Sequence, residues 1–259
     1  MFKKILTAIG LTAVVGLLIF GAVNRTMAMD NGTGSRTEGS GSAEIHGNGN
    51  NSSGQHGNGE AAGESISFDL PASGSLDADE QNALITMREE EKLAHDVYVT
   101  LYTKWGLPIF QNISQSEQTH TDSVKALIDR YNLSDPALNA IGVFTNPDLQ
   151  ALFNSLVERG NQSLSEALKV GAAIEEIDIL DLEKYLSQTN NADIQKVFGD
   201  LKNGSYNHLN AFTSTLNRQT GETYQPQYLS MEAYQAILET RTGGNGNAGS
   251  GGGGRNGRP

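Results

Sequence analysis

The chain contains no cysteine, and this absence excludes several classes of site. Disulfide bridges, thiolate zinc sites and iron centres held by cysteines are all ruled out. Without covalent cross-links, the folded part must be stabilised by a hydrophobic core. Basic residues are also scarce, because 18 Lys and Arg stand against 30 Asp and Glu, a formal net charge of -12. This charge argues against nucleic acid and against anionic membrane surfaces as partners.

Glycine is plentiful, but it is concentrated in two segments that divide the chain. Residues 30–74 and 241–259 are rich in glycine, and such segments bury too little apolar surface to offset the entropy of ordering the backbone. We therefore predict a disordered Gly/Ser/Asn-rich linker at 30–74 and a disordered tail at 241–259. The remaining stretch, 75–240, is long enough for one domain with its own core.

The first 29 residues are typical of a targeting segment. Two lysines precede an apolar run over residues 5–23, and a weak small-residue cleavage site follows at residues 26–28. The run has nearly the length needed to cross a bilayer. Two interpretations stay open, a signal peptide that is removed and a transmembrane anchor that tethers the protein by its N-terminus. Both predict export, to the cell surface or as a secreted or periplasmic protein.

Strand signals are scarce in 75–240, whereas helix start and stop signals are frequent. Asp77 and Glu80 have the spacing of a capping box, which predicts a helix from about residue 78 to 104. Further long helices are predicted over about 110–131, 164–188 and 192–218. Two short helices are predicted at about 147–158, after the Asn146-Pro147 cap, and at about 231–239. This inventory indicates an all-α four-helix bundle with one or two short extra helices.

The inward stripe of each long helix is apolar except near its middle. A bundle helix turns core positions inward at alternating steps of three and four residues. The first two stripes are Leu84, Met87, Glu91, Ala94, Tyr98, Leu101 and Ile113, Glu117, His120, Val124, Leu127, Tyr131. The other two are Leu164, Leu168, Gly171, Glu175, Asp178, Leu182, Tyr185 and Ile194, Phe198, Leu201, Ser205, His208, Phe212. Four carboxylates and two imidazoles are therefore expected in one core layer.

Buried carboxylates without cationic partners either take up protons or share a cation. The basic residues close in sequence, Arg88, Lys92 and Lys125, are not on an inward stripe. We predict that bound metal ions resolve this conflict, because oxygen and imidazole ligands suit iron and manganese. The predicted ligands are Glu91, Glu117, His120, Glu175, Asp178 and His208.

Several residues near these ligands have weaker or different predicted roles. The candidates for supporting the ligands are His95, Tyr98, Glu176 and Ser205. His95 lies beside the first stripe, where a supporting hydrogen bond or a surface position is expected rather than ligation. Glu176 is the substitute ligand if the inward register of its helix is shifted by one residue. The glutamates expected on solvated helix faces are Glu89, Glu90 and Glu183.

The motifs that carry the metal prediction resemble a known pattern. They are Glu91-Lys-Leu-Ala-His-Asp-Val-Tyr98, Glu117-Gln-Thr-His120, Ala173-Ile-Glu-Glu-Ile-Asp178, and Val197-Phe198 followed by His208. On these residues the sequence is similar to the rubrerythrin-like branch of the ferritin-like superfamily, and to a prokaryotic group known as domain of unknown function 2202. The resemblance covers about residues 84–212. It departs from the rubrerythrin pattern at Ser205, where that pattern has a second Glu-x-x-His.

The resemblance implies a di-iron carboxylate centre that reacts with oxygen or peroxide. Such an oxidoreductase, ferroxidase-like or peroxidase-like, would take electrons from ferrous iron or from an electron donor of unknown identity. The scaffold itself hosts several reactions and does not fix which one occurs. Because Ser205 removes a carboxylate ligand, the alternative is a non-catalytic, surface-tethered bundle with a structural or vestigial metal site.

Overall fold

The structure is a computed structural model that describes residues 74–242. Within this range it contains six helices and no strands, which confirms the all-α prediction. The helices are α1 Ala78–Trp105, α2 Pro108–Arg130, α3 Pro147–Gly160, α4 Leu164–Gln188, α5 Ala192–Thr220 and α6 Met231–Thr242. Every predicted helix is present, with small shifts at the ends.

Three predicted segments lie wholly or almost wholly outside the described residues. They are the targeting segment 1–29, the linker up to residue 73 and the tail beyond residue 242. Across 74–242, none of the helices combines the length and the apolar character needed to cross a membrane.

The helix ends follow from local chemistry. The side chain of Asp77 accepts a hydrogen bond of 2.8 Å from the N–H of Glu80, and Glu80 accepts one of 3.1 Å from the N–H of Asp77, so the capping box is present. Gly106 ends α1 in the left-handed region, with φ of 62°. α2 begins at Pro108 rather than at the predicted Phe110, because the first helical position needs no N–H donor.

The four long helices, α1, α2, α4 and α5, pack as antiparallel neighbours. Between α4 and α5, Glu175 lies against His208 and Asp178 against Ser205, so residue numbers rise on one helix as they fall on the other. The same relation holds for α1 with α2, α2 with α5 and α1 with α4. Consequently α2 and α4 run in the same direction, and the connection 131–163, which contains α3, travels the length of the bundle.

The apolar core is divided into two clusters by the polar layer. One cluster contains Tyr98 and Phe212, and the other contains Leu127 and Phe198 towards the opposite end of the bundle. The inward stripes are buried apart from three partly exposed positions, Tyr131, Leu164 and Asp178. α3 packs on α1 and α4, so one side of the bundle has an additional layer.

Gly171 in α4 is required by the packing of the first cluster. A Cβ atom at this position would lie 2.6 Å from the Phe212 ring, which is itself fully buried against Tyr98 and Phe110. We expect Gly171→Ala to lower the free energy of unfolding by about 1–3 kcal/mol, because overpacking outweighs the better helix propensity of alanine. Chemical denaturation measures this change.

Gly199→Ala in α5 is the matched control, because no atom beyond the adjoining residues and the backbone of the same helix lies within 4 Å of the added methyl group. At that position alanine should raise the free energy of unfolding by up to about 1 kcal/mol. Equal effects of the two substitutions would contradict the close approach of Phe212 to Gly171.

Candidate metal centre

Glu117 on α2 lies in the middle of the polar layer, between two histidines. Its Oε2 accepts a hydrogen bond of 2.8 Å from Nδ1 of His120. Its Oε1 lies 2.8 Å from Nδ1 of His208 on α5. Glu117 and His120 share one face of α2 because they are three residues apart. One carboxylate group therefore faces two imidazole rings, with one oxygen towards each.

A further carboxylate lies beside each imidazole. Oε2 of Glu91 on α1 is 3.3 Å from Nδ1 of His120, and Oε2 of Glu175 on α4 is 3.4 Å from Nδ1 of His208. The arrangement has two halves that share Glu117, each with one imidazole and one additional carboxylate. All five residues are buried, and together they are named the Glu/His cluster.

Two residues that the sequence did not single out fix the histidine rings. Oγ of Ser116 on α2 lies 3.0 Å from Nε2 of His208, which leaves Nδ1 of that ring facing the cluster. The His120 ring packs on Gly204 of α5, where a Cβ atom would lie 2.6 Å from the ring. A glycine inside a helix is costly and signals a close approach, so Gly204 was recognisable in principle. Nothing in the sequence places Ser116 beside His208.

The charges of the cluster shift its pKa values in different directions. Burial would lower the pKa of His120, but the carboxylates of Glu91 and Glu117 outweigh it and raise the pKa to about 12. Burial is likewise outweighed at His208, where Glu175 and Glu117 raise the pKa to about 10. Burial raises the pKa of Glu91 to about 8. At Glu117, both histidines overcome burial and hold the pKa well below its usual range.

The cluster contains polar atoms that the described residues leave without a hydrogen bond. They are both carboxylate oxygens of Glu91, Oε1 of Glu117 and Nδ1 of His208, and all are buried. The last two atoms are only 2.8 Å apart, yet their angle is not that of a hydrogen bond, so neither satisfies the other. Donor atoms of Glu117, His120 and His208 lie within 4.8 Å of one another, as the ligands of one ion do. These residues fit a divalent transition metal.

Asp178 and Ser205 lie at the edge of the cluster and bond to each other. Asp178 accepts a short hydrogen bond from the Ser205 hydroxyl, whose oxygen also lies 3.1 Å from the backbone oxygen of Leu201, the alternative acceptor for its single proton. Burial raises the pKa of Asp178 well above its usual range, and the nearby glutamates add to this shift. The structure therefore places Asp178 in the polar layer, but outside the group of Glu117, His120 and His208.

Tyr98 and His95 have different surroundings. The Tyr98 hydroxyl donates a hydrogen bond of 2.6 Å to Oε1 of Glu175, in the cluster. His95 lies beside the neighbouring Asp96, with Nδ1 at 2.8 Å from its carboxylate. Asp96 also bonds to Lys92 and to the backbone N–H of Gly142, so His95 belongs to the contact between α1 and the long connection.

Glu176 points away from the cluster and holds the chain that precedes α6. Its buried carboxylate accepts backbone hydrogen bonds of 2.9, 2.6 and 2.8 Å from Gln227, Tyr228 and Leu229. Since Glu175 faces the cluster, α4 has the predicted inward register, and Glu176 is not in the position of a substitute ligand.

Two of the three glutamates expected on solvated faces are largely removed from solvent, since Glu89 is buried and Glu90 is half-buried. Glu89 is 8% exposed, and Oε2 of Glu90 is buried without a hydrogen bond. Burial raises the pKa of both groups. The prediction was wrong because α3 and the chain before it cover this side of α1, which the periodicity of four helices does not anticipate. Glu183 is exposed, as expected.

The basic residues near the cluster in sequence are paired with other carboxylates. The pairs are Arg88 with Asp135, Lys92 with Asp96, and Lys125 with Asp129. Their positive charges are therefore used outside the Glu/His cluster, and only the two histidines balance its carboxylates within the described residues.

The helical bundle and the buried Glu/His cluster define an all-α protein with a candidate metal centre. A family model described as an uncharacterized protein domain, DUF2202, matches residues 80–241. The match covers more than half of the chain, which therefore belongs to the DUF2202 family, as the resemblance predicted.

Two comparisons point to the same relative. The chain is 52% identical over 168 residues to the uncharacterized protein MJ0754 of Methanocaldococcus jannaschii, a match that covers 64% of this chain and 90% of the relative. It is also similar to the crystal structure of the hypothetical protein MJ0754, with a TM-score of 0.64 and 51% identity over 66% of this chain and 98% of the other. Neither description states an activity.

The pKa values predict how stability depends on pH when no metal is bound. The pKa values of His120 and His208 in the folded protein, about 12 and about 10, lie above the usual 6.5. Their ion pairs therefore stabilise the fold fully below pH 6.5, and this contribution is lost as pH rises towards 10 and beyond. Glu91 also lowers stability as pH rises, because its pKa in the folded protein, about 8, lies above the usual 4.5. Denaturation at pH 6, 7, 8 and 9 with a chelator should show falling stability.

The same series with bound Mn²⁺ is the control. Coordinated imidazole carries no proton at the ligating atom, so the histidines should give no loss of stability above pH 6.5. Parallel pH profiles with and without Mn²⁺ would argue against proton–metal competition at these residues.

Proposed function

We propose that this protein is a ferritin-like metal-binding protein that holds two iron ions, with manganese as the alternative, and reacts with oxygen or peroxide. The main support for this proposal is that Glu117 faces both His120 and His208, with one carboxylate oxygen towards each ring. A carboxylate that bridges two ions needs this disposition. Glu91 beside His120 and Glu175 beside His208 would supply the remaining protein ligands of the two positions.

The topology supports the ferritin-like assignment. Ferritin-like bundles have four long helices and one long crossover connection, and their metal ligands project inward from facing helices. Here the parallel direction of α2 and α4 requires such a crossover, which residues 131–163 provide. The cluster takes its residues from all four long helices, at the middle of each inward stripe.

The residues of the chain have definable tasks in such a centre. When bound, redox-active iron supplies the electrons that reduce oxygen or peroxide. Ser116 holds the His208 ring with Nδ1 inward, and Tyr98 holds Glu175 through its hydrogen bond, as outer partners of metal ligands do. The apolar clusters on both sides keep bulk water away and strengthen the charge interactions in the layer.

Ser205 makes the two proposed metal positions unequal. A serine has no carboxylate to offer the centre. Its hydroxyl group already contacts Asp178 and the backbone oxygen of Leu201. The metal position beside His208 and Glu175 would then be the weaker of the two, and it would be the side open to oxygen or peroxide. The same observation favours the second candidate function, a non-catalytic bundle whose metal is structural.

The N-terminal sequence supports export of this domain. The lysine-led apolar run over residues 5–23 is the supporting feature, with the protein either tethered to a membrane or released after cleavage. Its electron donor, if ferrous iron is not itself the substrate, would then be found outside the cytoplasm.

Removal of the shared carboxylate should strongly weaken metal binding. We expect Glu117→Ala to weaken binding of Fe²⁺ or Mn²⁺ by about 100-fold or more, because both halves of the cluster lose a ligand. Elemental analysis after dialysis, on protein purified without a chelator or a metal-affinity tag, measures this loss. Circular dichroism shows whether the fold is kept.

Glu158→Ala on α3 is the matched control, because Glu158 is exposed and lies away from the cluster. It should bind metal as the unsubstituted protein does. Equal metal content in Glu117→Ala and Glu158→Ala would refute the assignment of Glu117 as a ligand.

The two candidate functions differ in turnover. If the centre is catalytic, the ferrous protein should oxidise its iron on mixing with oxygen or peroxide, faster than the same iron in buffer or with Glu117→Ala. Stopped-flow absorbance and an oxygen electrode measure this reaction. Stoichiometric iron that raises the melting temperature but gives no oxidant-dependent spectral change would favour the structural role.

A further inference from the structure

A small cavity lies between α1 and α4, where α3 covers them. Its volume is about 40 Å³. Most of its lining is aliphatic and buried, and this part includes Leu93 and Ala94 of α1, Leu149, Leu152 and Leu156 of α3, and Ile174 of α4. This space is named the apolar cavity.

Two of the three carboxyl groups in the lining lie on its exposed side. The lining residues that keep partial exposure are Glu90, Ile177 and Asp178. The third carboxyl group belongs to Asp181, which is buried. Since the aliphatic residues named above are all buried, the cavity extends from a partly exposed side into an apolar interior.

The apolar cavity adjoins the Glu/His cluster on both helices that flank it. On α1, the lining residue Ala94 lies one helical turn after Glu91. On α4, Ile174 directly precedes Glu175, and Asp178 lies one turn after it. Residues three apart on a helix are surface neighbours. A molecule in the cavity is therefore about one helical turn from the carboxylates of both Glu91 and Glu175, although neither of these residues is itself in the lining.

The interior suits a small apolar guest. One water needs about 10–15 Å³ of such a space. The cavity, at about 40 Å³, therefore has room for a molecule of two heavy atoms. Aliphatic walls offer no hydrogen bonds, so a guest with hydroxyl groups, such as hydrogen peroxide, would give up the bonds that it makes in water. Cavities with aliphatic walls stay dry and take up xenon, and dioxygen is likewise small and apolar.

We propose that the apolar cavity is the docking site from which dioxygen reaches the metal centre, so that dioxygen rather than peroxide is the oxidant. This inference rests on the proposed function, which leaves the choice between the two oxidants open. The cavity reaches α4 beside Glu175, at the metal position that Ser205 would leave with fewer ligands. Dioxygen would thus arrive at the side of the centre that can accept it.

Xenon binding to the metal-free, full-length chain tests the cavity separately from any reaction. Xenon is an apolar substitute for dioxygen that scatters X-rays anomalously. We expect one xenon atom per chain in the apolar cavity, in crystals under xenon pressure and by xenon nuclear magnetic resonance in solution. Leu152→Phe fills the cavity from α3, a helix outside the Glu/His cluster. It should weaken xenon binding by about tenfold or more.

Ala151→Phe is the matched control, because Ala151 is the exposed neighbour of Leu152 on α3 and is not in the lining. It should bind xenon as the unsubstituted protein does. Leu152→Ala is a second variant that needs no additional space. It enlarges the cavity and should bind xenon more tightly. The melting temperature with chelator shows whether each variant folds.

Oxidation kinetics connect the cavity with the centre. With ferrous iron bound, Leu152→Phe should slow oxidation by dioxygen by about tenfold relative to Ala151→Phe, because dioxygen loses its docking site. Oxidation by peroxide should be equal in the two variants, since peroxide does not enter through the cavity. Stopped-flow absorbance with each oxidant measures both rates.

Three results would overturn the inference and leave the proposed function intact. They are an apolar cavity that takes up no xenon, folded Leu152→Ala that binds xenon no more tightly than the unsubstituted protein, and equal dioxygen rates in folded Leu152→Phe and Ala151→Phe. Bound iron that neither dioxygen nor peroxide oxidises in the unsubstituted protein would instead refute the catalytic form of the proposed function, and the inference with it.

Discussion

The burial of several carboxylates in the middle of an apolar bundle is the constraint on which the rest of the structure depends. Glu91, Glu117 and Glu175 are each 1% exposed, and an uncompensated charge at such a position costs several kcal/mol, roughly the size of a domain's whole margin of stability. Arg88, Lys92 and Lys125, the basic residues close to the layer in sequence, are paired with other carboxylates. Charge balance must therefore come from the two histidines, from proton uptake by a carboxylate such as Glu91, or from bound cations.

The residues around the cluster hold its buried carboxylates and imidazoles in place. Small residues at positions 171 and 204 let aromatic and imidazole rings approach α4 and α5 closely, and Ser116 and Tyr98 orient a histidine and a carboxylate. The adjacent residues Glu175 and Glu176 show that a buried carboxylate can be stabilised in two different ways. One carboxylate faces imidazole in the cluster, and the other is satisfied by three backbone N–H groups before α6.

The periodic and capping signals of the helices were predictable from the sequence. The packing of the long connection between α2 and α4 was not. Caps such as Asp77 and the period of the inward stripes are local signals, so the helices and the inward orientation of Glu117, His120 and His208 followed from them. Asp178 stays a predicted ligand; its hydrogen bond with Ser205 was not predicted, because a stripe gives the face of a helix but not the bonding partner. The burial of Glu89 and of one carboxylate oxygen of Glu90 depends on where the crossover packs, and the crossover leaves no periodic pattern in the helices that it covers.

The order of the cluster residues along the chain has a consequence for folding. Glu91 lies near the start of the bundle and His208 near its end, with α3 and the long crossover between them. Contacts across such separations carry a large loop-closure entropy and form only when most of the topology is in place. A growing chain lacks the full set of candidate ligands until α5 has been made, so half of a bundle cannot assemble the Glu/His cluster. Under the proposed function, only chains that have completed the crossover would load metal through this set.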